Sequence, residues 1–186
     1  MPNTVQSLRE KLLLYRIRVK RDAGAFGRLY DAYVQRIYRF IFFKVPSAEE
    51  AQDLTSETFL KLWQHLEQGK PVRNFNALTY GIARNLVADY YRSQGKKPVA
   101  ELDEETLSVL PDVKALAKLE KTAELSQVLS ALKLLKDEYR EALIMRYLDG
   151  LTPTEIAPVL GKSSGAVRVI LHRSLETLRA LLTSNE

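Results

Sequence analysis

The sequence predicts an all-α protein, two small helical domains joined by a flexible acidic linker. Three observations carry this. No stretch sustains the alternation of a half-buried strand, whereas apolar residues recur at helical spacing nearly everywhere. Helix caps and breakers fall between those periodic stretches at regular intervals. Charge divides along the chain: residues 1–97 hold 17 Lys and Arg against 9 Asp and Glu, residues 98–123 hold 3 against 6, and residues 124–186 hold 8 against 8. The domain boundaries are placed accordingly: a basic domain over 1–97, an acidic linker over 98–123 and a neutral domain over 124–186.

The first helix is predicted from about Thr4 to Arg21, and the second from about Ala25 to Lys44, where Pro46 stops it. Ser47-Ala48-Glu49-Glu50 is a capping-box pattern that opens a third helix to about Glu67. Gln68-Gly69-Lys70-Pro71 breaks it, and a fourth helix follows from about Phe75 to Ser93. Two prolines and Glu101, Asp103, Glu104 and Glu105 make the stretch from 98 to about 111 a connector. Helices are then expected from about Val113 to Leu135 and from Asp137 to Leu148, the latter ending at Asp149-Gly150, where glycine can take the left-handed cap conformation. Thr152-Pro153-Thr154-Glu155 combines a capping box with proline at the first helical position. That helix is expected to be short or kinked, because Pro158 deletes a backbone hydrogen bond, and it ends at Gly161. Ser163 or Ser164 caps a last helix running to about Leu182.

Composition narrows the function classes. With 186 residues, 46% hydrophobic and 27% charged, the chain can bury a core. Its longest apolar runs, such as Phe40 to Phe43, are far short of a membrane span, and Leu12 to Leu14 among basic residues is too short for a secretory signal. A cytoplasmic protein with no membrane association is expected. Zero cysteines exclude disulfides, thiolate metal sites and a cysteine nucleophile, and two distant histidines, His65 and His172, offer little for a metal. No catalytic residues, no metal site and no cofactor are expected, because the acids are spread along helix faces rather than clustered. The basic N-terminal half carries the electrostatic footprint of nucleic-acid binding.

Residues 152–182 have the length and punctuation of a helix-turn-helix, whose second helix enters the major groove. Advancing about 100° per residue from Val167, the side chains of Ile170, Leu171, Ser174, Leu178 and Leu181 share its inward face. Gly165, Arg168, Val169, His172 and Arg173 fall on the outward arc, with Lys162 and Ser164 at the turn before it. Arginine binds guanine O6 and N7 in a bidentate manner and also clamps phosphate, so this arc suits DNA better than an ordinary hairpin would. On the fourth helix, Tyr80, Arg84, Val87 and Tyr91 line up opposite Phe75, Leu78, Ile82 and Leu86. Such a row suits stacking on unpaired bases, and equally suits packing against a neighbouring helix. The third helix places Asp53, Glu57, Leu60, Lys61 and Gln64 opposite Phe59, Leu62, Trp63 and Leu66. An acidic patch with a leucine inside a basic domain fits a protein partner; the alternative is a solvated face.

With these motifs in place, the chain resembles bacterial RNA polymerase sigma factors of the extracytoplasmic-function group, which keep only sigma regions 2 and 4. Phe26-Gly27-Arg28-Leu29-Tyr30-Asp31-Ala32-Tyr33 resembles the opening of region 2. The run from Ala51 to Trp63 resembles its polymerase-binding helix, and Phe75-Asn76-Ala77-Leu78 with Ile82-Ala83-Arg84-Asn85 and Asp89-Tyr90-Tyr91-Arg92 resembles its promoter-melting helix. Glu155-Ile156-Ala157 and Ala166-Val167-Arg168 through Leu171-His172-Arg173 match the helix-turn-helix of region 4. The resemblance spans about residues 23 to 182, in the family's order and spacing.

It implies a promoter-specificity subunit whose partners are core RNA polymerase, through the β′ clamp helices and the β flap, promoter DNA and an anti-sigma factor, and which is a monomer when free. Core-polymerase contacts would be Asp53, Ser56, Glu57, Leu60, Lys61 and Gln64. The loop from His65 to Asn74 would capture a flipped base of the minus-ten element, using His65, Lys70, Arg73 and Asn74, with Tyr80, Arg84, Asn85, Val87 and Tyr91 beside it. Lys162, Ser164, Gly165, Arg168, Val169, His172 and Arg173 would read minus-thirty-five, and the linker would thread the polymerase's RNA path. Ser56 stands where the family usually has Gln, and Leu78 where it has Trp. Val169, Ile170 and Leu175 replace a usual Ser, Arg and Arg, which implies fewer phosphate contacts. The competing expectation is a self-sufficient helix-turn-helix regulator with an N-terminal dimerisation or sensing domain.

Overall fold

The computed structural model describes residues 3–95 and 123–183. Among these it contains α1 (Asn3–Lys20), α2 (Ala23–Phe42), α3 (Ala48–Glu67), α4 (Phe75–Ser93), α5 (Ala123–Leu134), α6 (Asp137–Leu143), a π-helical turn (Ile144–Leu148), α7 (Pro153–Leu160) and α8 (Ser164–Thr183), and no strand. The linker and the part of the expected helix that precedes Ala123 lie outside the described residues.

Each boundary has a local cause. The Asp22 carboxylate accepts from the Ala25 amide at 2.9 Å, which starts α2 two residues earlier than the apolar pattern suggests. Ser47 caps α3 through the Glu50 amide, but the capping box is only half made. Glu50 receives the Tyr90 hydroxyl through its other carboxylate oxygen, tying the start of α3 to the end of α4. Asn74 caps α4 through the Ala77 amide at 2.9 Å. The box at Thr152 is complete in both directions: the Glu155 amide donates to Thr152 Oγ1, and the Thr152 amide donates to Glu155 Oε2. Gly150 and Gly161, at φ 72° and 65°, take the left-handed conformation that ends their segments, and Ser163 caps α8 through the Ala166 amide. With Pro158 inside it, α7 has only eight residues.

α2 is the centre of the N-terminal domain. Ile37, Phe40, Ile41, Phe42 and Phe43 are fully buried, with Leu62, Leu66 and Phe75 of the surrounding helices. Edge-on ring pairs fix the helix faces: Tyr33 on Phe75, Tyr30 on Phe59 and Phe26 on Trp63, with centroids 4.7–4.9 Å apart. In the C-terminal domain α8 lays Val167, Ile170, Leu171 and Ser174 against α5, α6 and α7. The two domains share a packed face: α7 lies on α4, and the buried side chains of both halves form one apolar cluster.

Candidate polymerase and nucleic-acid interfaces

The outer face of α3 is built by the i, i+4 logic of the helix. Leu54, Phe59, Leu62 and Leu66 turn inward, and this leaves Asp53, Ser56, Glu57, Leu60, Lys61 and Gln64 in solvent. Glu57 and Lys61 pair at 3.0 Å within the face, and Leu60 is 56% exposed. Ser56 Oγ turns back to the Gln52 carbonyl at 2.9 Å. A groove of about 380 Å³ lined by Tyr30, Val34, Tyr38 and Gln52 runs alongside, with the Tyr38 hydroxyl buried in its wall.

The loop between α3 and α4 borders a larger cleft of about 540 Å³, enclosed by Arg73, Asn74 and Asn76 on one side, Tyr33 and Arg36 of α2 on another and the segment from Asp149 to Glu155 on a third. Lys70 and Arg73 are exposed, and His65 and Asn74 are partly buried. The Asn76 side-chain oxygen Oδ1 is buried there with no hydrogen-bond partner. Across the cleft Glu10 accepts from the Tyr33 hydroxyl at 2.5 Å; burial pushes the Glu10 carboxyl above its usual range and the Tyr33 phenol well above its own.

The aromatic row on α4 requires a correction. Tyr80, Val87 and Tyr91 are not open to solvent: they are 0%, 2% and 5% exposed, and only Asn85 and part of Arg84 remain accessible. The reason is the C-terminal domain, which covers this arc and supplies it with partners. The Tyr80 hydroxyl donates to Asp149 Oδ2 at 2.7 Å, while Arg39 holds Asp149 Oδ1 at 2.5 Å and reaches the Leu148 carbonyl. Burial raises both the Tyr80 phenol and the Asp149 carboxyl, the latter against the opposing pull of Arg39. A second knot joins Lys44 and Arg84 to the carboxylate of Glu141.

Arg140 completes the contact. It donates to the carbonyls of Leu132, Lys133 and Leu135 that end α5, and to the Phe43 carbonyl that ends α2. Tyr91 donates to the neighbouring Lys44 carbonyl at 2.6 Å, and burial pushes its phenol up to about 12. The π-helical turn, closed by the Asp149 amide on the Ile144 carbonyl, widens the backbone just before Asp149. Periodicity left packing of this arc open without naming its partner, although one signal was present. Arg39 and Lys44 bracket the run Phe40-Ile41-Phe42-Phe43, and a cation inside a run that must be buried calls for a buried acid.

On α8 the expected outward arc is open. Gly165, Arg168, Val169, His172 and Arg173 are exposed, with Lys162 before them and Ser164 partly covered. His172 lies 3.3 Å from Glu176, and Lys162 lies 3.3 Å from Glu138. Arg168 and Arg173 stand in solvent on one side of the helix, while Val167 and Ser174 behind them are fully buried.

Comparison with known proteins agrees with this architecture. Residues 29–97 match the family model for sigma-70 region 2, and residues 125–178 match that for sigma-70 region 4. The chain is 32% identical to the ECF RNA polymerase sigma factor SigW of Bacillus subtilis over 173 residues, 88% of this chain and 91% of that protein. It is 37% identical to the ECF RNA polymerase sigma factor BldN of Streptomyces coelicolor, matching 87% of this chain and 61% of the longer relative. The solved structure of CnrH in complex with the cytosolic domain of CnrY superposes with a TM-score of 0.70 at 26% identity, covering 96% of this chain and 99% of that one. The sigma factor RpoE of Bartonella quintana, solved with the anti-sigma factor NepR, shares the fold with a TM-score of 0.65 at 19% identity. No described helix is long and apolar enough to cross a membrane. The self-sufficient regulator is not favoured by these relatives, and the chain belongs to the ECF sigma factors, the RNA polymerase subunits that direct promoter-specific transcription.

Proposed function

We propose that this sigma factor joins core RNA polymerase through the outer face of α3, reads minus-ten with the loop from His65 to Asn74 and minus-thirty-five with α8, and has no catalytic role of its own. Residues 1–97 then act as region 2, 98–123 as the acidic linker and 124–186 as region 4, in the cytoplasm where the polymerase works. The observation that carries the reading is the α3 face. Six polar or apolar side chains stand in solvent on a helix whose other face is packed, beside a groove, in a domain whose charge is otherwise basic. A carboxylate pair one turn apart beside an exposed leucine suits a basic, partly apolar helical partner such as the β′ clamp helices. The β flap would take region 4.

Minus-ten contact falls to His65, Lys70, Arg73, Asn74, Arg84 and Asn85, which reach the surface in whole or in part. Tyr80, Val87 and Tyr91 would join them only after the C-terminal domain leaves α4. An anti-sigma partner is supported by solved relatives held by such proteins, as RpoE is by NepR. The test is co-purification of the double variant Asp53→Lys, Glu57→Lys with core polymerase, followed by run-off transcription. Loss of assembly with an unchanged circular-dichroism spectrum is expected; a folded double variant that binds core at wild-type strength would remove α3 from the interface.

A further inference from the structure

α1 carries a second unpartnered surface, apart from the α3 face and adjoining, through Lys11, the cleft beside the α3–α4 loop. Leu13 and Ile17 turn inward and are 8% and 1% exposed. On the opposite side Leu8, Leu12, Tyr15 and Val19 are 61%, 58%, 56% and 55% exposed. These four are spaced by four, three and four residues, the a and d alternation of a coiled-coil seam, and they occupy an arc of about 60° at about 100° per residue. The flanking e and g positions are Arg9, Lys11, Arg16 and Arg18, every one cationic. Arg9, Lys11 and Arg18 are exposed, and Arg16 is partly so while it pairs with Asp22 at 2.6 Å.

We infer that this face of α1 docks an acidic amphipathic helix of a partner protein, with apolar residues at a and d and carboxylates at e and g. Charge selects that occupant. A second copy of the chain would set cation against cation along both flanks, in either orientation. The chain's own linker carries acids at Glu101 and Asp103 to Glu105, but its leucines at 102, 107 and 110 break the four-three spacing, and Pro98 and Pro111 bracket it. An anionic membrane surface calls for a broad apolar face, whereas this stripe has the width of a seam.

The experiment uses the full chain and two labelled four-heptad peptides with identical Leu and Ile seams, one with Glu and the other with Lys at every e and g position. Fluorescence anisotropy is expected to show saturable one-to-one binding of the Glu peptide, about tenfold or more tighter than the Lys peptide. The double variant Leu12→Asp, Val19→Asp should lose that binding by a similar factor, and Arg9→Glu, Lys11→Glu, Arg18→Glu should reverse the preference between peptides. Unchanged melting of both variants is expected, since all five side chains are exposed. Equal binding of the two peptides, or affinity unmoved by either variant, overturns the inference. So does concentration-dependent dimerisation abolished by Leu12→Asp, tighter peptide binding once Glu101, Asp103, Glu104 and Glu105 are changed to Gln, or seam-dependent binding to phosphatidylglycerol vesicles without peptide binding.

Discussion

α4 and α8 each present, opposite their core face, an arc of side chains chemically able to hold nucleic acid, yet one arc is sealed and the other is open. The difference lies in what the arcs are made of. Tyr80, Val87 and Tyr91 bring large apolar area, worth about 2–3 kcal/mol each when fully covered, and two hydroxyls that find Asp149 and the Lys44 carbonyl. Arg168, His172 and Arg173 bring charge with little apolar area, and no described buried carboxylate faces them. A helical face of mixed aromatic and cationic character is therefore settled by the neighbour that arrives. Here the C-terminal domain brings Asp149 and Glu141, both buried at the contact.

The sealed arc makes the largest prediction. Asp149→Ala leaves the Arg39 guanidinium and the Tyr80 hydroxyl without their shared carboxylate in a buried site. It should cost about 3–5 kcal/mol of stability in the packed arrangement. Denaturant unfolding measures the loss, and small-angle scattering should show a larger radius of gyration as region 4 leaves α4. Replacing Arg39 and Asp149 together by leucine should recover most of the stability. A single variant with wild-type stability and dimensions would mean that the ion pair does not hold the domains together.

A pH titration sharpens the same contrast. Burial raises the phenols of Tyr80 and Tyr91 above the ordinary value of 10, the latter to about 12. The unfolded chain therefore loses those protons first. Stability that is present below pH 10 declines as pH rises from 10 toward 12, because the unfolded state binds fewer protons there. Tyrosinate absorbance from these two residues should appear together with loss of helical ellipticity. If the buried tyrosines titrate near 10 with the helices intact, the arc is more open than the packing implies.

The sequence reached the architecture because its signals are local. Ser47, Thr152 and Gly161 act within one turn of themselves, and the α4 boundaries follow from the break at Gln68-Gly69-Lys70-Pro71 and the periodic run after it. The α3 and α8 outward faces were legible for the same reason, since each is the complement of a strong apolar stripe. The α4 arc was not legible, because Asp149 lies 69 residues from Tyr80 and Glu141 lies 97 from Lys44, and no periodicity reports a partner at that distance. The tie at the start of α3 was out of reach for the same reason: Glu50 keeps Oε2 on the Ser47 hydroxyl, and its Oε1 receives the hydroxyl of Tyr90, 40 residues away.

Within the helix-turn-helix the expected effects are smaller. Thr152→Ala removes the cap acceptor for the Glu155 amide, and the fully reciprocal box goes with it. A loss of about 1 kcal/mol is expected by thermal denaturation, read against Glu155→Ala, which removes the reciprocal acceptor. Additive losses from the two substitutions would contradict a cooperative box, since either change alone should forfeit most of it.

The smallest effect on folding should come from the open arc, and there the two helices separate most cleanly. Arg168→Ala with Arg173→Ala removes two side chains that stand in solvent, so stability should move by no more than about 0.5 kcal/mol. The same variant should lower transcription from a promoter dependent on its minus-thirty-five element, by about 1–3 kcal/mol for each arginine bidentate to a base, with relaxed preference at that base pair. If instead each contact is to phosphate, affinity should fall evenly across sequences, and the salt dependence should flatten by about one unit of slope per arginine. Promoter use in the double variant that matches the wild type in level, sequence preference and salt dependence would leave α8 exposed without a role in DNA recognition. The openness of its arc would then need the same kind of explanation that Asp149 and Glu141 supply for α4.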